Sequence, residues 1–240
     1  DFNEDGLSDL VVAGADNGDV VIALGRADGT FDPPFTAHSP GTSFHILAED
    51  LDADGHTDLA FTTLTARSLV ILYGRGDATF EPPLVIPTAV AIHLEAGDLD
   101  ADGDTDLLLI QQETVAPFTR GFVIYEATSP RTFAPGFPVT IPTRPSFPHI
   151  ADITGDGVAD ILYTAIDDEP LGILESTATR FEYERMIYNV PDFRGVSAVE
   201  VADLTNDGKP DALAIGESFI ENPGYVIFEN LGDGTLKPHP

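Results

Sequence analysis

The sequence predicts an all-β fold, a β-propeller of four-stranded antiparallel blades with five repeats in this chain. Three observations lead there. A nine-residue acidic segment recurs five times, its starts 49, 48, 54 and 51 residues apart, and a period near 50 residues marks a propeller or an array of small units. Each copy is followed by short apolar runs rich in β-branched and aromatic residues, the composition of strands. The 22 Gly and 19 Pro are turn residues, dense and evenly spread along the chain as in an all-β domain.

The repeats cover roughly 1–43, 44–91, 92–147, 148–196 and 197–240, one propeller domain over 1–240. Each opens on the acidic loop: DFNEDGLSD from Asp1, DLDADGHTD from Asp50, DLDADGDTD from Asp98, DITGDGVAD from Asp152 and DLTNDGKPD from Asp203. A first strand follows directly (DLVVAGA, DLAFTTL, DLLLIQQ, DILYTAI, DALAIGE). A second comes after a turn (DVVIALG, SLVILYG, GFVIYEA, PLGILES, GYVIFEN). A glycine-rich turn and an aromatic or Leu come next, as in GRADGTF, GRGDATF and LGDGTL. Blades three and four carry ATSPRTF and STATRF there instead, so their outer hairpins should differ. A last strand leads into the next loop (FHILAED, AIHLEAGD, FPHIAD, AVEVAD). That makes about four strands per repeat, the content of one blade. No such strand precedes Asp1, and the chain closes on TLKPHP inside an outermost strand. Five blades that close, part of a larger wheel, or an edge completed by a neighbouring copy are all consistent with this.

The loops point to a metal. Calcium takes 6–8 oxygen ligands at about 2.3–2.6 Å. Oxygens at loop positions 1, 3, 5 and 9, with the carbonyl of position 7, can surround one ion while the Gly at position 6 permits the turn. The candidate ligands are Asp1, Asn3, Asp5, Leu7 and Asp9; Asp50, Asp52, Asp54, His56 and Asp58; Asp98, Asp100, Asp102, Asp104 and Asp106; Asp152, Thr154, Asp156, Val158 and Asp160; and Asp203, Thr205, Asp207, Lys209 and Asp211. Leu7, His56, Asp104, Val158 and Lys209 contribute backbone carbonyls, and the Lys209 side chain is expected to turn outward. A helix–loop–helix calcium loop closes with Glu at position 12, where this chain has Val12, Phe61, Leu109, Tyr163 and Ala214. Five such loops in register would repel internally without a cation. About five Ca²⁺ are therefore expected, one per repeat. Loops two and three, with four carboxylates each, should bind tightest.

Composition excludes several function classes. The chain carries 41 acidic against 11 basic residues, a formal net charge of −30. Nucleic acid needs a basic face, and none is present. No apolar run approaches the roughly 18 residues of a membrane helix, so no membrane insertion is expected. With no Cys, disulfides and thiolate metal sites are absent. Beginning at Asp1 inside a motif, the chain reads as a mature or excised piece of a longer product.

The combined motif, D-x-[DN]-x-D-G-x-x-D, then D-L and a strand, then G-x-G-D-G-T-F, resembles the FG-GAP/VCBS repeats of integrin α-subunit-like β-propellers. The resemblance covers essentially the whole chain. It implies a calcium ion in the loop joining the first two strands of each blade, and such propellers commonly have seven blades. Local loop sites suit the millimolar calcium outside cells, so an extracellular or cell-surface location is expected, with a structural ion. No catalytic constellation is visible, and the expected role is a non-catalytic adhesion or ligand-binding module taking protein or glycan on its loop face. Two alternatives stay open: a structural subunit joined to copies of itself through blade edges, and the propeller domain of a polysaccharide-acting enzyme. Candidate contacts are Phe118, Arg120, Phe137, Arg144, Phe147 and Tyr225, in segments that break the repeat length. His45 and His93 each stand five residues before a loop. Arg75-Gly76-Asp77 falls on the ordinary outer turn and reads as a hairpin turn, not an adhesion ligand.

Overall fold

A computed structural model describes residues 1–14, 18–38, 41–112, 121–165, 171–177, 181–188, 193–218, 224–232 and 234–238. Every regular element among them is a β-strand. The first blade has three: β1 (Leu10–Ala13), β2 (Val20–Ala23) and β3 (Phe35–His38). The second has four, β4 (Ser43–Glu49), β5 (Asp58–Thr63), β6 (Ser68–Leu72) and β7 (Leu84–Pro87), ordered as in sequence. The third comprises β8 (Val90–Gly97), β9 (Asp106–Gln112), β10 (Gly121–Tyr125) and, after a small hairpin of β11 (Ala127–Ser129) and β12 (Thr132–Phe133), β13 (Phe137–Thr140). The fourth runs β14 (Pro145–Ala151), β15 (Asp160–Ala165), β16 (Leu171–Ser176) and β17 (Tyr183–Tyr188). The fifth runs β18 (Phe193–Ala202), β19 (Asp211–Ser218), β20 (Gly224–Asn230) and β21 (Leu236–Pro238). Among the described residues the strands pair antiparallel, for example Leu59↔Leu72 and Phe61↔Val70 in the second blade. Four-stranded antiparallel sheets in sequence order are propeller blades, and the expected fold class is the observed one.

The outer turns show why the sequence motif matters. Gly25 bridges Phe31 and Gly74 bridges Phe80. A Cβ on either glycine would lie 2.3 Å from the carbonyl oxygen of Ser8 or Thr57, so only glycine lets the loop approach this closely. In blade three the turn sequence ATSPRTF builds the β11–β12 hairpin at this place, as its departure from the motif predicts.

Two compact units share the chain. In the first, Asp1–Ala96 with Leu107–Thr119 and Tyr125–Gly136, the core packs Phe2, Val20, Ile22, Leu59, Phe61, Val70, Leu72 and Ala78. In the second, Gly97–Asp106 with Arg120–Ile124 and Phe137–Pro240, Ile153, Leu162, Leu171, Ile173, Val199, Ala212, Ala214, Phe228 and Leu236 cluster. The strand that begins at each loop's last aspartate is apolar on both faces in the inner blades: Leu59–Thr63 and Ile161–Ala165 are buried throughout. Burial on both faces is what lets these strands read as continuous apolar runs and not as alternation.

Candidate metal centres

Each acidic loop is a closed coil of short hydrogen bonds. The first aspartate accepts from the backbone N–H groups of positions 5 and 6. These distances are 3.2 and 2.8 Å for Asp1, 3.2 and 2.9 Å for Asp50, and 3.2 and 3.0 Å for Asp98. Asp152 gives 3.2 and 2.9 Å, and Asp203 gives 3.0 and 3.0 Å. Position 5 then accepts from the N–H of position 7: Asp5 from Leu7, Asp54 from His56, Asp102 from Asp104, Asp156 from Val158 and Asp207 from Lys209, all at 2.9–3.0 Å. Tightness of this order needs left-handed backbone. The Gly at position 6 has φ between +84 and +92° in Gly6, Gly55, Gly103, Gly157 and Gly208. Position 4 is left-handed too, at Glu4, Ala53, Ala101, Gly155 and Asn206, a requirement the motif did not reveal.

The closing aspartate has a structural role of its own. Asp58, Asp106, Asp160 and Asp211 are fully buried, and Asp9 is half-buried. Oδ2 accepts from the N–H of position 2, at 2.8 Å from Phe2, 3.0 Å from Leu51, 3.1 Å from Leu99, 2.8 Å from Ile153 and 2.9 Å from Leu204. Oδ1 accepts from the residue just past or ending the second strand: Gly25, Gly74, Ser176 and Asn230, at 2.7–2.8 Å. Burial pushes Asp58 up to about 6, with Asp52 and Asp54 adding to it and the two backbone donors opposing it. Burial also raises Asp160. In Asp211, the N–H groups of Asn230, Thr205 and Leu204 overcome the upward push of burial, and its carboxyl sits below the usual value.

Carboxylate oxygens converge in two loops. One atom each from Asp50, Asp52 and Asp54, and likewise from Asp98, Asp100 and Asp106, lie within 4.8 Å of one another. Both sets offer only hard oxygen donors, which fits a divalent cation of the calcium type and not a soft metal. In loops one, four and five the third position is Asn3, Thr154 or Thr205, so the acids are fewer.

Basic and phenolic groups stand against these loops in ways the sequence did not show. Lys209 does not turn outward: its Nζ lies 3.0 Å from Asp207 Oδ2 and also donates to the carbonyls of Asn230 and Leu231. The adjoining carboxylate draws it back, and the contact lowers the Asp207 carboxyl. His56 pairs with Glu4 of the preceding loop. The Arg131 guanidinium, at the tip of β11–β12, pairs with Asp52 and Asp54. The Tyr73 phenol is pushed up to about 12 by burial, then by Asp52 and Asp58, against the pull of Arg131. Tyr183 is raised by burial and by Asp106, Asp160 and Asp100. The only clue to Arg131 was that blade three lacks the standard turn.

The remaining candidates separate cleanly. His45 and His93 do meet, with ring centroids 4.2 Å apart. Asp77 accepts from the Thr79 N–H at 3.0 Å, just as Asp28 does from Thr30, so the Arg75–Asp77 triplet is the repeat's hairpin turn. Phe137, Phe147 and Tyr225 are 45, 42 and 70% exposed, and Arg144 is exposed. Tyr225 stands on a strand, β20, opposite Ile215. Phe118 and Arg120 lie outside the described residues.

The FG-GAP-like repeat model matches residues 1–61, 50–109 and 152–214. No curated protein matches the sequence. Among solved structures, a lectin of Agrocybe aegerita that recognises non-reducing terminal N-acetylglucosamine superimposes with a TM-score of 0.67 at 18% identity, over 100% of this chain and 64% of the lectin. The C-terminal domain of Pseudomonas aeruginosa PilY1 does so with a TM-score of 0.51 at 13% identity, over 95% of this chain and 58% of that domain. The chain thus spans about three fifths of the length of the structures it matches. At these identities the likeness shows the fold. The repeat model covers more than half of the sequence and falls on all five acidic loops whose geometry is described above: this chain belongs to the FG-GAP-like repeat family.

Proposed function

We propose that the chain is an extracellular, calcium-stabilised propeller module that binds protein or glycan ligands without catalysis. The observation that carries this reading is the convergence of carboxylate oxygens in loops already coiled to receive an ion. Asp50, Asp52 and Asp54, and Asp98, Asp100 and Asp106, would hold the metal with their neighbours at positions 5, 7 and 9. The bound ion would supply fixed positive charge at the blade corner and no chemistry. Buried acids close together are costly without a counter-cation, so removing calcium should loosen the loops. Millimolar affinity suits the exterior of cells. Support for ligand binding comes from the fold shared with a glycan-recognising lectin and from the exposed Phe137, Phe147 and Arg144. A chelator-stripped sample should take up several Ca²⁺ by calorimetry and gain thermal stability. An unchanged melting curve between calcium and chelator would sink the structural-ion reading. On a glycan array that includes N-acetylglucosamine-terminated glycans, signal in calcium that falls in chelator is expected. A blank array beside a positive pull-down of a surface protein would move the ligand class from glycan to protein.

One observation favours a second reading, that copies of the chain join. In the first blade Leu10 and Val12 are 47 and 46% exposed, whereas Leu59 and Phe61 at the same repeat positions are buried. In the fifth, Leu213 and Ile215 with Tyr225 and Ile227 line an open apolar groove of about 360 Å³, whereas Leu162 and Thr164 at those positions are buried. The two bare surfaces are opposite faces of the blade, as head-to-tail stacking of copies requires.

A further inference from the structure

Arg131 sits where no repeat rule would place it. It occupies the two-residue tip between β11 and β12 with φ at +63°, a backbone region that disfavours any side chain but glycine. Something must hold it there. Its Nε donates to Asp52 Oδ2, and its Nη2 donates to Asp54 Oδ2 at 3.0 Å. Its Nη1 lies 3.4 Å from Glu81 Oε2, and its guanidinium carbon is 4.6 Å from the centre of the Tyr73 ring. The Asp52 side chain is 2% exposed, that of Arg131 37%. The planar fork thus spans positions 3 and 5 of loop two from nearly 80 residues away in sequence.

The other oxygens of those two acids are committed. Asp52 Oδ1 accepts from the Asp54 N–H at 3.2 Å, and Asp54 Oδ1 from the His56 N–H at 2.9 Å. The Oδ2 atoms are the open face these two acids turn to a cation, and those are the atoms the guanidinium holds. Two other loops place a donor on the equivalent position-5 oxygen: Asn3 Nδ2 on Asp5 Oδ2 at 3.0 Å, and Lys209 Nζ on Asp207 Oδ2 at 3.0 Å. In loop two the donor bridges two acids with a full delocalised charge, the arrangement for which arginine is suited.

We propose that Arg131 is the resident counter-ion of loop two, holding it closed without a metal and competing with calcium for the Oδ2 atoms of Asp52 and Asp54. Calcium enters by displacing the guanidinium toward Glu81 and the face of Tyr73, groups already within its reach. The competition rests on the calcium reading above; the counter-ion role does not. It also separates two loops that charge count ranks together: loop two, with the same four carboxylates, binds calcium more weakly than loop three.

The test uses the whole chain and the variant Arg131→Met, which keeps a long unbranched side chain and removes the charge. In chelator, Arg131→Met should melt several degrees below the wild type, and saturating calcium should narrow that gap. By calorimetry, loop two of Arg131→Met should bind calcium about tenfold more tightly, and this gain should vanish when Asp50→Asn disables the loop. Unchanged or weaker calcium binding in Arg131→Met overturns the competition. An unchanged melt in chelator overturns the counter-ion role. If no calcium binds to wild type or variant, the calcium reading and the competition fall together, while the chelator melt still judges Arg131 alone. Should Arg131→Met not fold, Arg131→Lys, a point charge without the fork, should show a smaller gain in calcium affinity, and equal affinity to wild type overturns the proposal.

Discussion

The carboxylate of Asp58 is fully buried and accepts from the N–H groups of Leu51 and Gly74. Truncation to alanine would strand both donors without water, at about 1–3 kcal/mol each. Asp58→Ala should therefore lower unfolding free energy by about 3 kcal/mol in urea titrations, in chelator as well as in calcium. A loss seen only in calcium would mean that this acid is a ligand and nothing more. The acid itself was legible at position 9 of every loop. Its second task was not, because Oδ1 takes its donor 16 to 19 residues further on, from a Gly, Ser or Asn that no single pattern unites. Position 4 was similarly hidden. Ala53 and Ala101 adopt left-handed backbone that their residue type disfavours, and only Gly155 and Asn206 gave a hint at the same place.

At the level of strands and hairpins, the inner strands β4 and β8 bring His45 against His93, with Glu49 and Glu95 nearby. Burial, then His93, lowers the His45 imidazole to about 4, against an opposing pull from Glu95. Burial, then Glu95, raises Glu49. A histidine with a depressed native pKa binds its proton first in the unfolded chain. Its contribution is intact above about pH 6.5 and is lost progressively as pH falls toward 4. His45→Phe should thus flatten the decline in melting temperature between pH 6.5 and 4.5, and an identical slope in the variant would remove His45 from the account. The strands were readable because their two-sided apolar runs and flanking turn residues are local signals. The β11–β12 hairpin was foreseen only as a departure, since what Arg131 meets at its tip comes from a different repeat.

For the molecule as a whole, the order of strands within each blade follows their order in sequence, which is why a 50-residue period sufficed to read the fold. The terminal faces were not legible, because Leu10 and Leu59 look alike in sequence and only the neighbouring blade distinguishes them. If copies stack head to tail, the wild type should sediment as a concentration-dependent oligomer. Tyr225→Asp and Leu10→Asp should each abolish this alone, and failure of either to do so would rule out stacking through those faces.

Three contacts between successive repeats share one sense of direction. Ala78 of blade two donates to the Phe2 carbonyl in loop one. Arg131 of blade three grips loop two, and Asn230 of blade five donates to the Ile153 carbonyl in loop four. In each case the later repeat fastens onto the earlier one, like links closed by the next link in a chain under tension. A ligand that pulled on such a module would load these corners one after another, and on the calcium reading proposed above the ambient ion would set how much pull each corner withstands before it yields.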